Sequence, residues 1–230
     1  MTKIEIKSIF GDLLFTYEAE NATIKDAVEK AVKGRVSLRS ADLRSANLSS
    51  ANLRSANLSS ANLYSANLSS ADLRSANLSS ANLYSANLYS ANLSSADLRS
   101  ANLRSANLSS ADLYSANLYS ANLRSADLYS ANLSSADLRS ANLSSANLYS
   151  ADLRSAENKE TAHLPLFCKW SFSILGDKIQ IGCEKRTIKQ WDLFFASDQK
   201  LTTERGTEEF KQIQAVYNAC KAYLLTLNQK

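Results

Sequence analysis

The chain has 230 residues, 45% hydrophobic and 21% charged, with 5 Gly, 1 Pro, 3 Cys and 1 His. Its net charge of +4 is too weak to imply a nucleic-acid partner, and one histidine leaves little for metal or acid–base chemistry. No run approaches the roughly 20 apolar residues that cross a bilayer, and three cysteines with no apolar leader point to a soluble, cytoplasmic protein in a reducing compartment.

At the N-terminus, Ile4 and Ile6 alternate with polar residues, Gly11-Asp12 signals a turn, and Leu13, Phe15 and Tyr17 alternate again. This pattern predicts a β-hairpin. Ile24, Ala27, Val28, Ala31 and Val32 then fall on one helical face, with Gly34 closing a short helix. From Val36 to Ser155 the chain repeats one unit: Ala, Asn or Asp, Leu, a variable residue, Ser. Leucine recurs every fifth position from Leu38 to Leu153, giving 24 unbroken pentads. Every Gly, Phe, Lys, Trp and Cys lies outside this stretch.

Beyond the repeats, Lys169–Ser173 and Lys178–Cys183 read as a strand pair around Gly176-Asp177. Thr187 and Gln190 match a capping box that opens a helix through Phe195. A last helix, from about Thr207 to Leu227, places Phe210, Ile213, Val216 or Tyr217, Cys220, Leu224 and Leu227 on one face. The expected organisation is an N-terminal cap at 1–35 (hairpin plus helix), a repeat region at 36–157, and a C-terminal α+β cap at 158–230 (strand pair plus two helices).

A five-residue period excludes the two regular solutions. A helix advances about 100° per residue, so leucines at this spacing spiral around every side and form no stripe. A flat strand alternates faces, so an odd period throws successive leucines to opposite sides. What remains is a chain that bends a quarter turn per pentad, with Leu and the Ala two before it pointing inward. Four pentads then close one square coil of 20 residues, and coils stack at roughly 4.8 Å.

The pentads Ala41-Asp42-Leu43-Arg44-Ser45 onward resemble the pentapeptide-repeat family, whose motif is A(D/N)LXX; Val36-Ser37-Leu38-Arg39-Ser40 is the one degenerate unit. The resemblance implies a mainly β fold, a right-handed quadrilateral β-helix (a solenoid) of about six coils, roughly 29 Å long. Some members of that family mimic DNA and inhibit bacterial topoisomerases, which requires a strongly acidic surface. The repeats here carry nine basic and seven acidic residues, a net +2, which disfavours that role.

Only the fourth position of each pentad varies, among nine Arg, seven Tyr and eight Ser. Grouping every fourth pentad sorts these residues into four faces. One holds Arg44, Tyr64, Tyr84, Arg104, Arg124 and Ser144; another holds Ser49, Ser69, Tyr89, Ser109, Tyr129 and Tyr149. No face carries a continuous charged or aromatic stripe, as a nucleic-acid track would require. Five aspartates (Asp42, Asp72, Asp97, Asp137, Asp152) precede an arginine by two, a spacing for exposed ion pairs. Exterior positions tolerate change best, so this invariance reads as an engineered consensus array set between natural-looking caps.

Candidate chemistry is sparse. His163 with Cys168 forms no nucleophilic constellation without an orienting third group. His163, Cys168, Cys183 and Cys220 lack the closely paired ligands of structural zinc sites, and Cys220 lies on an apolar helix face. Eight Asn-Leu-Ser triplets, the first at Asn47, match a glycosylation sequon but follow from the repeat grammar. Trp170 and Trp191 read as cap-core aromatics. The expectation is a structural scaffold: not an enzyme, with no catalytic, cofactor or metal site, no required partner, and at most a weak homodimer through a cap. A natural binding protein, such as a DNA-mimic topoisomerase inhibitor, is the alternative.

Overall fold

The computed structural model describes residues 1–157, 172–175, 178–181, 184–196, 213–214, 217–218 and 220–221. The chain divides into two compact units, Met1–Asn158 and Lys159–Lys230.

The first unit opens with β1 (Thr2–Lys7) and β2 (Leu13–Ala19), paired antiparallel with Ile4 opposite Tyr17 and Ile6 opposite Phe15. This is the predicted hairpin. Its register shifts between Ile6 and Lys7, close to the turn where Gly11 takes a positive φ of 94°. Helix α1 (Ile24–Lys33) begins at Thr23, whose hydroxyl accepts from the Asp26 N–H while the Asp26 carboxylate accepts from the Thr23 N–H. That reciprocal capping box satisfies two otherwise orphaned donors. Ala27, Val28 and Ala31 are the buried face of α1, as the periodicity predicts.

In the repeats, pairing follows a 20-residue period. Parallel bridges join Asp42 to Asn62, Asn47 to Asn67, and so on to Asp137 with Glu157. Four pentads therefore separate stacked positions, the spacing expected from a quarter turn per pentad. The hydrogen bonds of each pentad explain its grammar. In the unit Ala41–Ser45, the Leu43 N–H donates to the Asn62 carbonyl and the Ser45 N–H to the Tyr64 carbonyl, both at 2.8 Å. The Asn62 N–H returns a bond to the Ala41 carbonyl at 2.9 Å. The Ala46 N–H closes the corner on the Leu43 carbonyl at 3.1 Å, and the Arg44 N–H donates to the Asp42 side chain. Leu, Ser, Asn, Ala and the variable residue thus each have a partner for the backbone donor, as a stacked chain demands.

The corner itself is made by serine. The last residue of every pentad, from Ser40 to Ser155, has φ between 52° and 59°. With the variable residue before it on the negative side, each Leu-X-Ser-Ala corner has the signature of a type II turn. Glycine would adopt this conformation at no steric cost, whereas serine holds it against its own Cβ.

Leucine fills the interior. From Leu48 to Leu133 each repeat leucine is 0% exposed, and nearly all repeat alanines are buried beside them. At the first coil, the N-terminal elements supply the partners that a preceding coil would otherwise give. The Asp42 N–H donates to the Lys7 carbonyl, the Ile9 N–H to the Ser40 carbonyl, and the Asn52 N–H to the Glu29 carboxylate at 2.7 Å. Ile6, Ala27, Val28 and Ala31 lie at most 1% exposed.

The second unit contains β3 (Phe172–Leu175), β4 (Lys178–Ile181), β5 (Glu184–Thr187) and α2 (Ile188–Ala196). The three strands form an antiparallel sheet in the order β3-β4-β5. The expected strand pair is present, Phe172–Leu175 against Lys178–Ile181, and the structure adds a third strand to it; residues 169–171 and 182–183 lie outside the described residues. Glu184-Lys185-Arg186-Thr187 has no apolar alternation, so nothing in its composition marks it as β. The capping box at Thr187 forms: its N–H donates to Gln190 Oε1 at 2.9 Å, and the Gln190 N–H donates to the Thr187 hydroxyl. Trp191 is fully buried, and its indole N–H donates to the Ile179 carbonyl at 2.8 Å. In the predicted last helix, Ile213, Gln214, Tyr217, Asn218, Cys220 and Lys221 are helical, and Ile213, Tyr217 and Cys220 are buried on its apolar face. Phe210, Val216, Leu224, Leu227 and Trp170 lie outside the described residues.

Candidate functional site

The repeat exterior is the surface on which the chain displays its varied chemistry, and the Asn or Asp of each pentad organises it. Its Oδ1 accepts the N–H of the variable residue two positions on, in every pentad from Asp42 to Asp152 (3.2 Å for Asn47 with Ser49, 3.0 Å for Asp152 with Arg154). This Asx turn presets the corner before serine completes it. Where the variable residue is serine, its hydroxyl often bonds the same oxygen, as Ser79 does to Asn77 at 2.7 Å. Asn side chains also ladder between coils: Asn82 Nδ2 donates to Asn62 Oδ1 at 3.2 Å, and Asn147 Nδ2 to Asp127 Oδ1 at 2.9 Å.

All five Asp–Arg pairs anticipated from spacing form. Arg44 donates through Nε to Asp42 Oδ1 at 2.8 Å and through Nη2 to Oδ2 at 2.6 Å, and Arg99 and Arg139 repeat this fork on Asp97 and Asp137. Arg139 also lies 3.6 Å from the Glu157 carboxylate. The arginine fork, foremost, holds these aspartates below the usual carboxylate range; desolvation opposes it, and the backbone N–H of the Asx turn adds a smaller lowering effect. A depressed carboxyl pKa stabilises the folded state above the unfolded-state value, and that contribution disappears as pH falls through the folded value. Asp137→Asn keeps the Asx turn, since Asn occupies the same place in most pentads, and removes only the charge. The variant is expected to be slightly less stable than the parent at neutral pH and to match it at about pH 2, below the carboxylate range. Urea unfolding at both pH values measures this; a gap that persists in acid would mean the side chain contributes through something other than its charge.

The tyrosines stack along the same 20-residue register. Tyr64 and Tyr84 lie with ring centroids 5.5 Å apart and planes 3° from parallel; Tyr129 and Tyr149 are 5.7 Å apart at 9°. Arg104 sits over the Tyr84 ring at 5.9 Å and Arg139 over Tyr119 at 5.9 Å. Grouping every fourth pentad already places both tyrosine pairs and both Arg–Tyr neighbours together. Their ring geometry needs coordinates.

Of the remaining thiol and imidazole candidates, only Cys220 lies among the described residues. His163, Cys168 and Cys183 lie outside the described residues. Cys220 is buried, and burial pushes its thiol up to about 12, so it stays protonated and unreactive at neutral pH. Among the described residues, no group of three His, Cys, Asp or Glu side chains is placed to hold a metal ion, and no helix is long and apolar enough to cross a membrane. One cluster went unnoticed in the sequence: Asp192 accepts from the Tyr217 hydroxyl at 2.7 Å and from Lys221 Nζ at 2.6 Å. The i, i+4 spacing of Tyr217 and Lys221 was its only trace. Burial, then the bond to Asp192, raises the phenol pKa, which fits a structural tie between helices rather than an activated acid.

A family model described as pentapeptide repeats matches in eight copies, over residues 35–69, 61–99, 91–128 and 121–157. HetL, a pentapeptide repeat protein involved in heterocyst differentiation regulation in the cyanobacterium Nostoc sp. PCC 7120, is 35% identical over 52% of this chain and 72% of its own (TM-score 0.27). A second pentapeptide repeat protein from Nostoc PCC 7120 is 36% identical over 40% of this chain and 84% of its own (TM-score 0.25). QnrB1, a plasmid-mediated fluoroquinolone resistance protein, is 18% identical over 51% of this chain and 79% of its own (TM-score 0.21). No curated protein sequence matches. With repeats matched from residue 35 to 157, the chain belongs to the pentapeptide-repeat family, whose fold is the right-handed quadrilateral β-helix.

Proposed function

We propose that this protein is a structural scaffold: an engineered, consensus-type array of six coils that presents a rigid, repetitive surface and carries no enzymatic activity. The observation that carries this reading is the division of labour within the pentad. Four positions are committed to the coil itself, two as buried Leu and Ala, one as the Asx turn and one as the left-handed corner. The fifth is confined to Arg, Tyr and Ser. A binding surface shaped by selection would vary its exterior and interrupt the repeat with loops.

In this reading the flanks are caps. Each end of a solenoid exposes apolar side chains and unpaired strand edges that invite end-to-end association. The bonds from Lys7, Ile9 and Glu29 to the first coil support that role for residues 1–35. Residues 158–230 would protect the other end, in a chain that functions in a reducing compartment without an obligatory partner. Deleting residues 160–230 is therefore expected to yield aggregates or fibres, whereas the full chain sediments as one discrete species over a range of concentrations. A monodisperse truncation in light scattering would refute the capping role. The scaffold reading also predicts unchanged DNA gyrase supercoiling when the protein is added. Inhibition would instead support the natural DNA-mimic alternative.

A further inference from the structure

We propose that the two stacked tyrosine pairs, Tyr64 with Tyr84 and Tyr129 with Tyr149, are modification sites at which one-electron oxidants create intrachain dityrosine bridges between successive coils. Geometry carries the inference. Both pairs are near-parallel stacks at 5.5 and 5.7 Å, and the backbone on either side is clamped. The Ser65 N–H donates to the Tyr84 carbonyl and the Ser130 N–H to the Tyr149 carbonyl, each at 2.9 Å. The two rings of each pair are thus held as neighbours without any search through solution.

The same exterior supplies its own controls. In the 20-residue register Tyr89 lies between Ser69 and Ser109, Tyr114 between Ser94 and Ser134, and Tyr119 between Arg99 and Arg139. Access does not favour the pairs: Tyr64, Tyr129 and Tyr149 are 44%, 45% and 59% exposed and Tyr84 is half-buried, against 49%, 50% and 44% for Tyr89, Tyr114 and Tyr119. An oxidant in solution reaches all of them, so the product is decided by which radical has a second ring beside it. Tyr84 is further constrained because Arg104 sits over its ring, leaving Tyr64 as its aromatic neighbour.

The chemistry is complete with a named co-reactant. Photogenerated tris(bipyridine)ruthenium(III) removes one electron from each phenol, and each ring releases its hydroxyl proton to water. The two phenoxyl radicals couple through their ortho carbons to form one carbon–carbon bond. Each coupled carbon then loses its hydrogen as the proton that restores the phenol, so each bridge costs the protein two hydrogens. Persulfate accepts the two electrons and leaves as sulfate. Coupling requires rotation about the Cβ–Cγ bonds to bring the ortho carbons together.

The test irradiates the full chain at low micromolar concentration with the ruthenium complex and persulfate, then maps cross-linked peptides by mass spectrometry and follows dityrosine fluorescence. The expected products are monomers lacking two hydrogens per bridge, linked 64 to 84 and 129 to 149. Tyr64→Phe and Tyr129→Phe should each halve the fluorescence yield and the double variant should nearly abolish it, while Tyr89→Phe leaves it unchanged. Phenylalanine keeps the stack and the coil, so circular dichroism should match the parent throughout. Three results would overturn the proposal: bridges at Tyr89, Tyr114 or Tyr119 as often as at the pairs, a yield that rises with protein concentration, or no bridge under conditions that couple free tyrosine.

Discussion

Replacing Leu98 with alanine is expected to lower the unfolding free energy by about 2–5 kcal/mol, the range for a fully buried leucine whose neighbours relax only partly into the vacated space. Leu98 is 0% exposed and shares its inward column with Leu78 and Leu118, one coil away on either side. Hydrogen bonds on both sides pin the surrounding backbone: the Leu98 N–H donates to the Asn117 carbonyl at 2.7 Å and the Asp97 N–H to the Ala76 carbonyl at 2.9 Å. A coil so fastened cannot collapse inward to refill the volume. Tyr114→Ser, on the outside of the same array, should change stability by no more than about 0.5 kcal/mol. Urea unfolding followed by circular dichroism compares the two. Equal effects would mean that the leucine interior is not what holds the coil.

The second large effect concerns the corner. Ser95→Pro is expected to cost about 3 kcal/mol or more, because proline fixes φ near −65° and has no N–H. Ser95 sits at φ 58° and donates to the Tyr114 carbonyl at 2.8 Å, so the substitution forfeits both the turn and an inter-coil bond. Ser95→Gly, in contrast, should be neutral or stabilising by up to about 1 kcal/mol. It removes the Cβ penalty of the left-handed region, offset by the larger entropy of glycine in the unfolded chain. Ser95→Val should fall between them, since a β-branched residue is an outlier at positive φ. Thermal unfolding of the three variants gives the order directly. A glycine variant as damaged as the proline variant would show that the serine side chain, not the backbone conformation, is what the position requires.

Much of the molecule was legible before any coordinates. The hairpin at β1 and β2 and the face of α1 follow from alternation and 3.6-residue spacing, both of which report burial directly. The inward positions of the repeats follow by elimination, because a five-residue period suits neither helix nor flat strand. Asp42 with Arg44 and its four counterparts are near neighbours in the chain, and their pairing could be read from spacing. β5 could not be read, because the polar run Glu184–Thr187 is a strand only through its pairing with β4. The tie from Asp192 to Tyr217 and Lys221 joins residues 25 and 29 positions apart, and the i, i+4 spacing of Tyr217 and Lys221 does not point to Asp192.

The sequence by itself determined the period, the leucine and alanine interior, the composition of the four faces and the family, because each is a property of local spacing repeated 24 times. Tertiary structure decided how that repetition is realised. Pairing across 20 residues converts a list of exterior residues into stacked tyrosines and arginine-covered rings. It also assigns the left-handed corner to serine alone, while Asn and Asp act one step earlier as its brace. The physical reason is that local bonds turn each corner, whereas the Leu and Ser N–H groups find their acceptors only in the next coil, so neighbours across 20 residues exist only when a second coil is in place.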